Sequence, residues 1–136
     1  MNSKNYTLRI DRNVLVIHVK GTWDELIARQ FSQDFKNAGR MLSHAPWADI
    51  VYFDEWTFSV PGAEPIVNAM LTWAQENNMT HTARIYKSHP LKTYQLNRIH
   101  NSNDTNFNIR QFECASEGFD WLAENGFSVG LAQVVA

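Results

Sequence analysis

The groups in this chain from which chemistry could be built are a few carboxylates, the histidines, one thiol and one loop serine. Asp54 and Glu55 are adjacent in IVYFDEWTF. On a strand, neighbouring side chains point to opposite faces, so these two are not expected to work as a carboxylate pair. His18 lies towards the end of the apolar run VLVIHV and reads as a packing or edge residue, because no motif ties a second catalytic group to it. His81 and His89 flank a later strand and His100 ends a helix; their spacing matches no recognised ligand pattern, so no metal site is expected. Cys114, the single cysteine, cannot form an internal disulfide and is expected to be buried and inert at the end of a strand. There is no Cys-x-x-Cys, nucleophile elbow, phosphate-binding glycine loop or His-Glu-x-x-His. An enzyme is therefore the lowest-ranked reading, and no cofactor is expected.

Ser59 is the remaining candidate, and it sits in the most informative stretch, ADIVYFDEWTFSVPGAEPIVNAMLTWA from Ala48 to Ala74. Ile50 to Phe53 form an unbroken apolar run, as in a central strand covered on both faces. Asp54 and Glu55 break it, and Trp56 and Phe58 continue on alternate positions. Ser59-Val60-Pro61-Gly62 reads as a turn, with Glu64 and Pro65 suited to the first turn of a helix. Ile66, Val67, Met70, Leu71 and Ala74 then recur at helical spacing, Trp73 broadens the stripe, and Asn77-Asn78 ends it. A serine in such a turn most often bonds local backbone. A phosphate placed there would also gain from the free amides and dipole of the helix, which makes Ser59 the candidate for a phosphorylation switch.

The elements that must position this stretch are legible on either side of it. Tyr6–Ile10 and Val14–Val19 read as an antiparallel hairpin around Asp11-Arg12-Asn13. Gly21 ends the second strand, and Thr22 with Glu25 has the capping-box pattern of a helix running to about Leu42. Trp23, Ile27, Phe31 and Phe35 repeat every four residues along it, widened by Leu26, Ala38 and Leu42, a face expected to pack on a sheet. Thr82–Lys87 predicts a further strand, and Ser88-His89-Pro90 opens a third helix in which Leu91, Tyr94, Gln95, Arg98 and Ile99 share sectors. Asn101–Asn106 is a loop. Phe107–Cys114 predicts a fifth strand, followed by a short helix capped by Ser116, holding Phe119, Trp121 and Leu122 and stopped at Asn125-Gly126. The last ten residues form an apolar tail that either packs back or makes an interface.

Composition narrows the function classes. The 136 residues suit one domain, here 1–136 with its core at about 6–126 and the tail at 127–136. The net charge is −2, and the 12 basic residues are scattered, which argues against a nucleic-acid surface. The N-terminus lacks the apolar core of a signal peptide, and no apolar run approaches the ~20 residues that cross a bilayer. A cytoplasmic protein without direct membrane insertion is expected.

The order strand, strand, helix, strand, helix, strand, helix, strand, helix calls for an α/β fold: a mostly parallel five-stranded sheet with an N-terminal antiparallel hairpin and about four helices. This succession resembles the STAS domain, the fold of the anti-sigma-factor antagonists, and more particularly its SpoIIAA-like relatives. The resemblance rests on element order, on VLVIHVKGTWDE as second strand turning into first helix, and on IVYFDEWTFSVPGAEP as third strand turning into second helix. In that family's antagonists the third strand carries a D-L-S-x-V-x-F pattern followed by D-S-S-G, whose serine a partner kinase phosphorylates. Here Asp54 stands for the first aspartate and Gly62 for the glycine, with Ser59 nearby, while the loop is shorter and the second aspartate is absent.

The resemblance implies a non-catalytic regulatory module with a protein partner. Its contact face would be the loop after the third strand and the start of the second helix, built from Asp54, Trp56, Phe58, Ser59, Gly62 and Glu64. Trp56 and Phe58 would be its anchors if their side chains are exposed. The alternative is a binder of a small apolar, lipid-like ligand, since relatives of this broad fold resemble lipid-binding domains and 5 Trp, 8 Phe and 4 Tyr is a generous aromatic content. The apolar tail also raises the expectation of a homodimer.

Overall fold

The computed structural model describes residues 3–99 and 106–130. Strands β1 (Tyr6–Asp11) and β2 (Val14–Val19) form the expected hairpin, with Tyr6 opposite Val19 and Asp11 opposite Val14. A two-residue turn requires backbone that most residues avoid, and Arg12 adopts a φ of 58° there. Beyond β2 the chain makes β3 (Gly21–Trp23), α1 (Glu25–Leu42), β4 (Trp47–Tyr52), β5 (Trp56–Ser59), a 3-10 turn (Pro61–Ala63) and α2 (Glu64–Glu76). It ends with β6 (Met79–Ile85), α3 (Pro90–Ile99), β7 (Asn108–Phe112) and α4 (Ala115–Glu124). The main sheet has the order β1-β2-β4-β6-β7, parallel throughout except for the hairpin.

Each face of this sheet has its own core. Leu15, Ile17, Trp47, Val51 and Met79 pack under α1, α2 and α3. Val14, Val16, Ile50, Ala83 and Ile85 pack under α4 and Phe127. Coverage on both faces explains why β2 and β4 read as nearly unbroken apolar runs. The stripe predicted for α1 is buried at Phe31 and Phe35 (4% and 0% exposure), Ala38 and Leu42, whereas Leu26 faces solvent and Trp23 belongs to β3.

Several local expectations are corrected. Trp56 and Phe58 do not prolong the central strand. A turn at Asp54-Glu55 intervenes, and β5 pairs with β3 in a second, two-stranded sheet. Asp54 and Glu55 are thus turn residues and not strand neighbours. Gly21 makes the second sheet attainable: its φ of 74° redirects the chain out of β2, and its amide donates to Glu55 O at 2.9 Å. Because Thr22 is taken up by β3, the cap of α1 is Asp24, whose carboxylate accepts from the Ile27 amide at 2.9 Å. In α3 the inward residues are Leu96 and Ile99, while Leu91, Tyr94 and Arg98 face out. Strand β7 ends at Phe112, so Cys114 is the N-cap of α4 in place of Ser116, and it is exposed. The tail packs back as far as it is described: Phe127 is buried, and the amides of Ser128 and Gly130 donate to the Asn13 and Asp11 side chains. His100, most of the Asn-rich loop and residues 131–136 lie outside the described residues.

Candidate functional site

The loop that follows β5 is held from three sides. Gln95 of α3 treats the end of β5 as a neighbouring strand would: its Oε1 accepts from the Ser59 amide at 3.1 Å and its Nε2 donates to Ser59 O at 2.7 Å. The same Nε2 donates to Glu64 Oε1 at 3.2 Å, and Glu64 Oε2 pairs with Arg98 at 3.1 Å. From below, Gly62 lies so close to α1 that an added Cβ would fall 2.3 Å from Glu25 Oε1. Lys92 ties the preceding turn to α3 by donating to the carbonyls of Phe53 and Asp54 at 3.0 and 3.1 Å. Asp54 Oδ1 accepts from the Lys87 amide at 3.0 Å. These contacts fix a loop whose own sequence contains only a short 3-10 turn.

The six residues singled out from the sequence take unlike positions. Asp54 is exposed and serves the Lys87 connector. Trp56 is buried, edge-on to Phe53 and Phe58 at 5.4 and 5.8 Å between ring centres, and is a core residue and not a surface anchor. Ser59 and Glu64 are buried, whereas Phe58 and Gly62 are half-buried. What reaches solvent is an apolar shelf in which Leu91 and Tyr94, grouped by helical spacing in the sequence, face outwards. Val60, Leu91 and Tyr94 are exposed, and Phe58 joins Leu91 and Tyr94 around a groove of about 230 Å³ closed by Gln95 and Arg98.

A second group of polar side chains, buried in the larger core, was missed by sequence reasoning. Asp49 lies opposite Thr82, and Val51 opposite Arg84, on neighbouring strands. Period-2 alternation therefore turns Asp49, Thr82 and Arg84 towards the same covered face, and all three are buried. The Thr82 hydroxyl donates to Asp49 Oδ1. Burial pushes the Asp49 carboxyl up to about 7 against the downward pull of that hydrogen bond and of the Arg84 charge. The signal was present in the sequence, as polar residues at inward positions of WADIVY and MTHTARI.

The other groups do not assemble into a site. His18 stacks on Tyr52 at 4.1 Å, with burial lowering the basicity of its imidazole. His81 packs against Trp121 and Phe127, and His89 meets the edge of Phe58. Cys114 has its thiol pKa lowered, first by the Ser116 hydroxyl 3.0 Å away and then by the backbone amides that open α4. Among the described residues no cluster of His, Cys, Asp and Glu could hold a metal, and no helix is long and apolar enough to cross a membrane.

No family model matches the chain, and no curated protein matches it. Solved structures do. An uncharacterised protein of the DUF3478 family with a SpoIIAA-like fold, from Shewanella loihica PV-4, is similar with a TM-score of 0.65 at 15% identity, over 90% of this chain and 98% of that one. The anti-sigma factor antagonist SpoIIAA in its unphosphorylated form gives 0.60 at 14% identity, over 87% and 97%. The Bacillus cell fate determinant SpoIIAA in its phosphorylated form gives 0.58 at 15% identity, over 86% and 98%. At such identity the likeness is one of architecture, and it agrees with the sheet order and the single antiparallel hairpin. The chain has the SpoIIAA-like α/β fold of STAS domains.

Proposed function

We propose that this protein is a non-catalytic regulatory module that docks a protein partner through the shelf beside the loop after β5. One observation carries the reading. Of the six exposed large hydrophobic residues among those described, Leu91 and Tyr94 line one groove together with the half-buried Phe58. Scattered apolar residues on a surface need no explanation, whereas a contiguous aromatic and aliphatic cluster with an arginine at its rim has the composition of a protein interface. Arg98 supplies that rim, its guanidinium 5.7 Å from the Tyr94 ring centre. The rigid clamp by Gln95 and Lys92 supports the same reading, because a pre-ordered surface loses little entropy on binding. The SpoIIAA-like fold agrees with it, since one structural neighbour is an anti-sigma factor antagonist.

Ser59 belongs to this reading only as a residue whose modification opens the loop. Its burial and the Gln95 bridge place it beside the Glu64 carboxylate, where a phosphate dianion would be repelled unless α3 let go. Peptide mapping from native cells that covers the residue repeatedly and never finds phosphate removes that step.

The docking reading is tested by affinity purification of the tagged protein from its own cells beside a Leu91→Asp/Tyr94→Ala variant. Both positions are exposed, so the variant should keep the wild-type circular dichroism and melting temperature. A stoichiometric partner that the wild type retains and the folded variant loses is the expected result. Retention of every partner by the variant would sink the shelf as the contact face.

A further inference from the structure

The polar side chains buried in the larger core lead to α3. Asp49 on β4 and Thr82 and Arg84 on β6 turn to the covered face, where the Thr82 hydroxyl donates to Asp49 Oδ1. Arg84 Nη1 donates to Leu96 O at 3.4 Å. Leu96 lies in the last turn of α3, whose final four carbonyls have no donor within the helix and whose dipole favours a cation. Among the described residues this is the one hydrogen bond that the Arg84 side chain makes, and Arg84 joins none of the ion pairs. A buried cation is thus held against one helix end.

Enclosing a guanidinium without a carboxylate partner is costly, and the acid that could serve is Asp49. Burial pushes its carboxyl up to about 7 against the Thr82 hydrogen bond and the Arg84 charge, so it passes from acid to anion close to neutral pH. Among the described residues Arg84 is the only charge acting on it. The side chains that share this part of the core from β2, β3, β5, α1, α2 and α3 carry no charge, Ile17, Trp23, Trp56, Phe35, Leu71 and Leu96 among them. Glu64 of α2 is engaged by Gln95 and Arg98. From the Arg84 side the further titratable group is Tyr86, whose hydroxyl meets Thr93 of α3 at 3.0 Å. The space left between these groups is about 60 Å³, well below the ~150 Å³ that takes a benzene ring, so the cluster can exchange a proton and not a ligand.

We infer that ionisation of Asp49 draws the Arg84 guanidinium from Leu96 O and loosens the last turn of α3, so that the hold of this helix on the loop after β5 weakens as the pH rises. While Asp49 is protonated, the guanidinium has only the helix end as its partner. Once a carboxylate stands on the same face of the sheet, the ion pair is the stronger contact. The helix that is released carries Gln95, which bridges the Ser59 backbone, and Leu91 and Tyr94 of the shelf. The consequence for a docked partner rests on the function proposed above, whereas the release of α3 does not, and it is read on α3 directly.

The test is amide NMR and hydrogen exchange on the full chain between about pH 5.5 and about pH 8.5, beside Asp49→Asn and Arg84→Met. In the wild type the amides of Leu96 to Ile99 and the Gln95 side-chain amide should titrate together, with a midpoint of about 7. Protection in α3, corrected for the intrinsic pH dependence of exchange, should fall about tenfold or more beyond any change in α4, as expected for one lost charge-assisted hydrogen bond. His89 is also titratable, but it accepts from the Lys92 amide at the opposite end of α3, so its influence is read at Lys92 and persists in Asp49→Asn. Asp49→Asn should hold α3 at both pH values, and Arg84→Met should leave it loose at both. The inference is overturned if the wild-type amides of Leu96 to Ile99 do not titrate in this range or if α3 and α4 lose protection equally, and neither outcome needs a variant to fold. It is also overturned if folded Asp49→Asn keeps the titration, or if folded Arg84→Met protects α3 as fully as the wild type does at the lower pH.

Discussion

Asp49 shows how far one residue can be moved from its ordinary chemistry by where it is folded. Three influences act on its carboxyl, and burial is the largest: the Thr82 hydroxyl and the Arg84 charge pull the pKa down, yet it is held at about 7 against 3.8 for the free group. A carboxyl whose folded pKa is raised binds a proton more tightly in the native chain than in the unfolded one. Its contribution is therefore most favourable below the unfolded pKa and is lost as the pH rises towards 7. At 1.36 kcal/mol per pKa unit the loss is on the order of 4 kcal/mol. Asp49→Asn keeps the shape and an acceptor for Thr82 while removing the titration. Urea midpoints measured at about pH 5 and about pH 8 should fall with pH for the wild type and stay nearly level for the variant. Cys114 moved in the opposite sense, from an expected buried position to an exposed cap, because β7 stops two residues before it.

At the scale of elements, the crossing of α1 and α2 depends on a glycine inside a helix. Alanine is better than glycine in a helix interior by about 1 kcal/mol, so propensity alone favours Gly39→Ala. The packing opposes it. A Cβ at residue 39 would lie 2.9 Å from Trp73 Cζ3 and 3.2 Å from Trp47 Cη2. Trp47 is wholly buried with its indole N–H bonded to Asn77 O at 2.7 Å, so it cannot step aside cheaply. Overpacking costs roughly 1–3 kcal/mol, and with two tryptophans this close the cost lies in the part of that range that exceeds the propensity gain. Gly39→Ala should lower the denaturation midpoint, a net destabilisation of up to ~2 kcal/mol; a midpoint above wild type would show that the tryptophans can repack. The α1 stripe was legible in the sequence because periodicity is local, whereas its cap was misplaced by two residues. Thr22 satisfies the capping pattern as well as Asp24 does, and only the pairing of β3 with β5 takes Thr22 out of contention.

At the scale of the whole molecule, the sheet is covered unequally. Three helices pack on one face, while the other has α4 and the start of the C-terminal tail. The tail is tied across the β1–β2 turn by Asn13, which donates to Gly126 O and accepts from the Ser128 amide. Phe127 is the apolar side chain this strap delivers, 5% exposed against His81. Truncating a buried phenylalanine costs about 3–5 kcal/mol. Phe127→Ala should therefore destabilise the protein by at least ~3 kcal/mol in urea unfolding, and a change below ~1 kcal/mol would mean that the second core closes without the strap.

The sequence by itself determined the alternation of strands and helices, the N-terminal hairpin, and the buried face of the strongly periodic elements β2, β4 and most of α1, though not that of α3. These properties follow from the 2.0 and 3.6 periods and from turn chemistry, which act within a few residues along the chain. Tertiary structure alone decided what covers each face. Trp56 and Ser59 became interior when β5 joined β3 and α3 folded over them, and Leu91 and Tyr94 became surface because Leu96 and Ile99 took the inner side of α3. Arg84 met the last turn of α3 because β6 lies at the middle of the parallel part of the sheet, under helices distant in sequence. Periodicity specifies which side chains turn together, and strand order and crossovers, made of contacts between distant residues, specify whether they turn towards solvent, protein or an unfilled space.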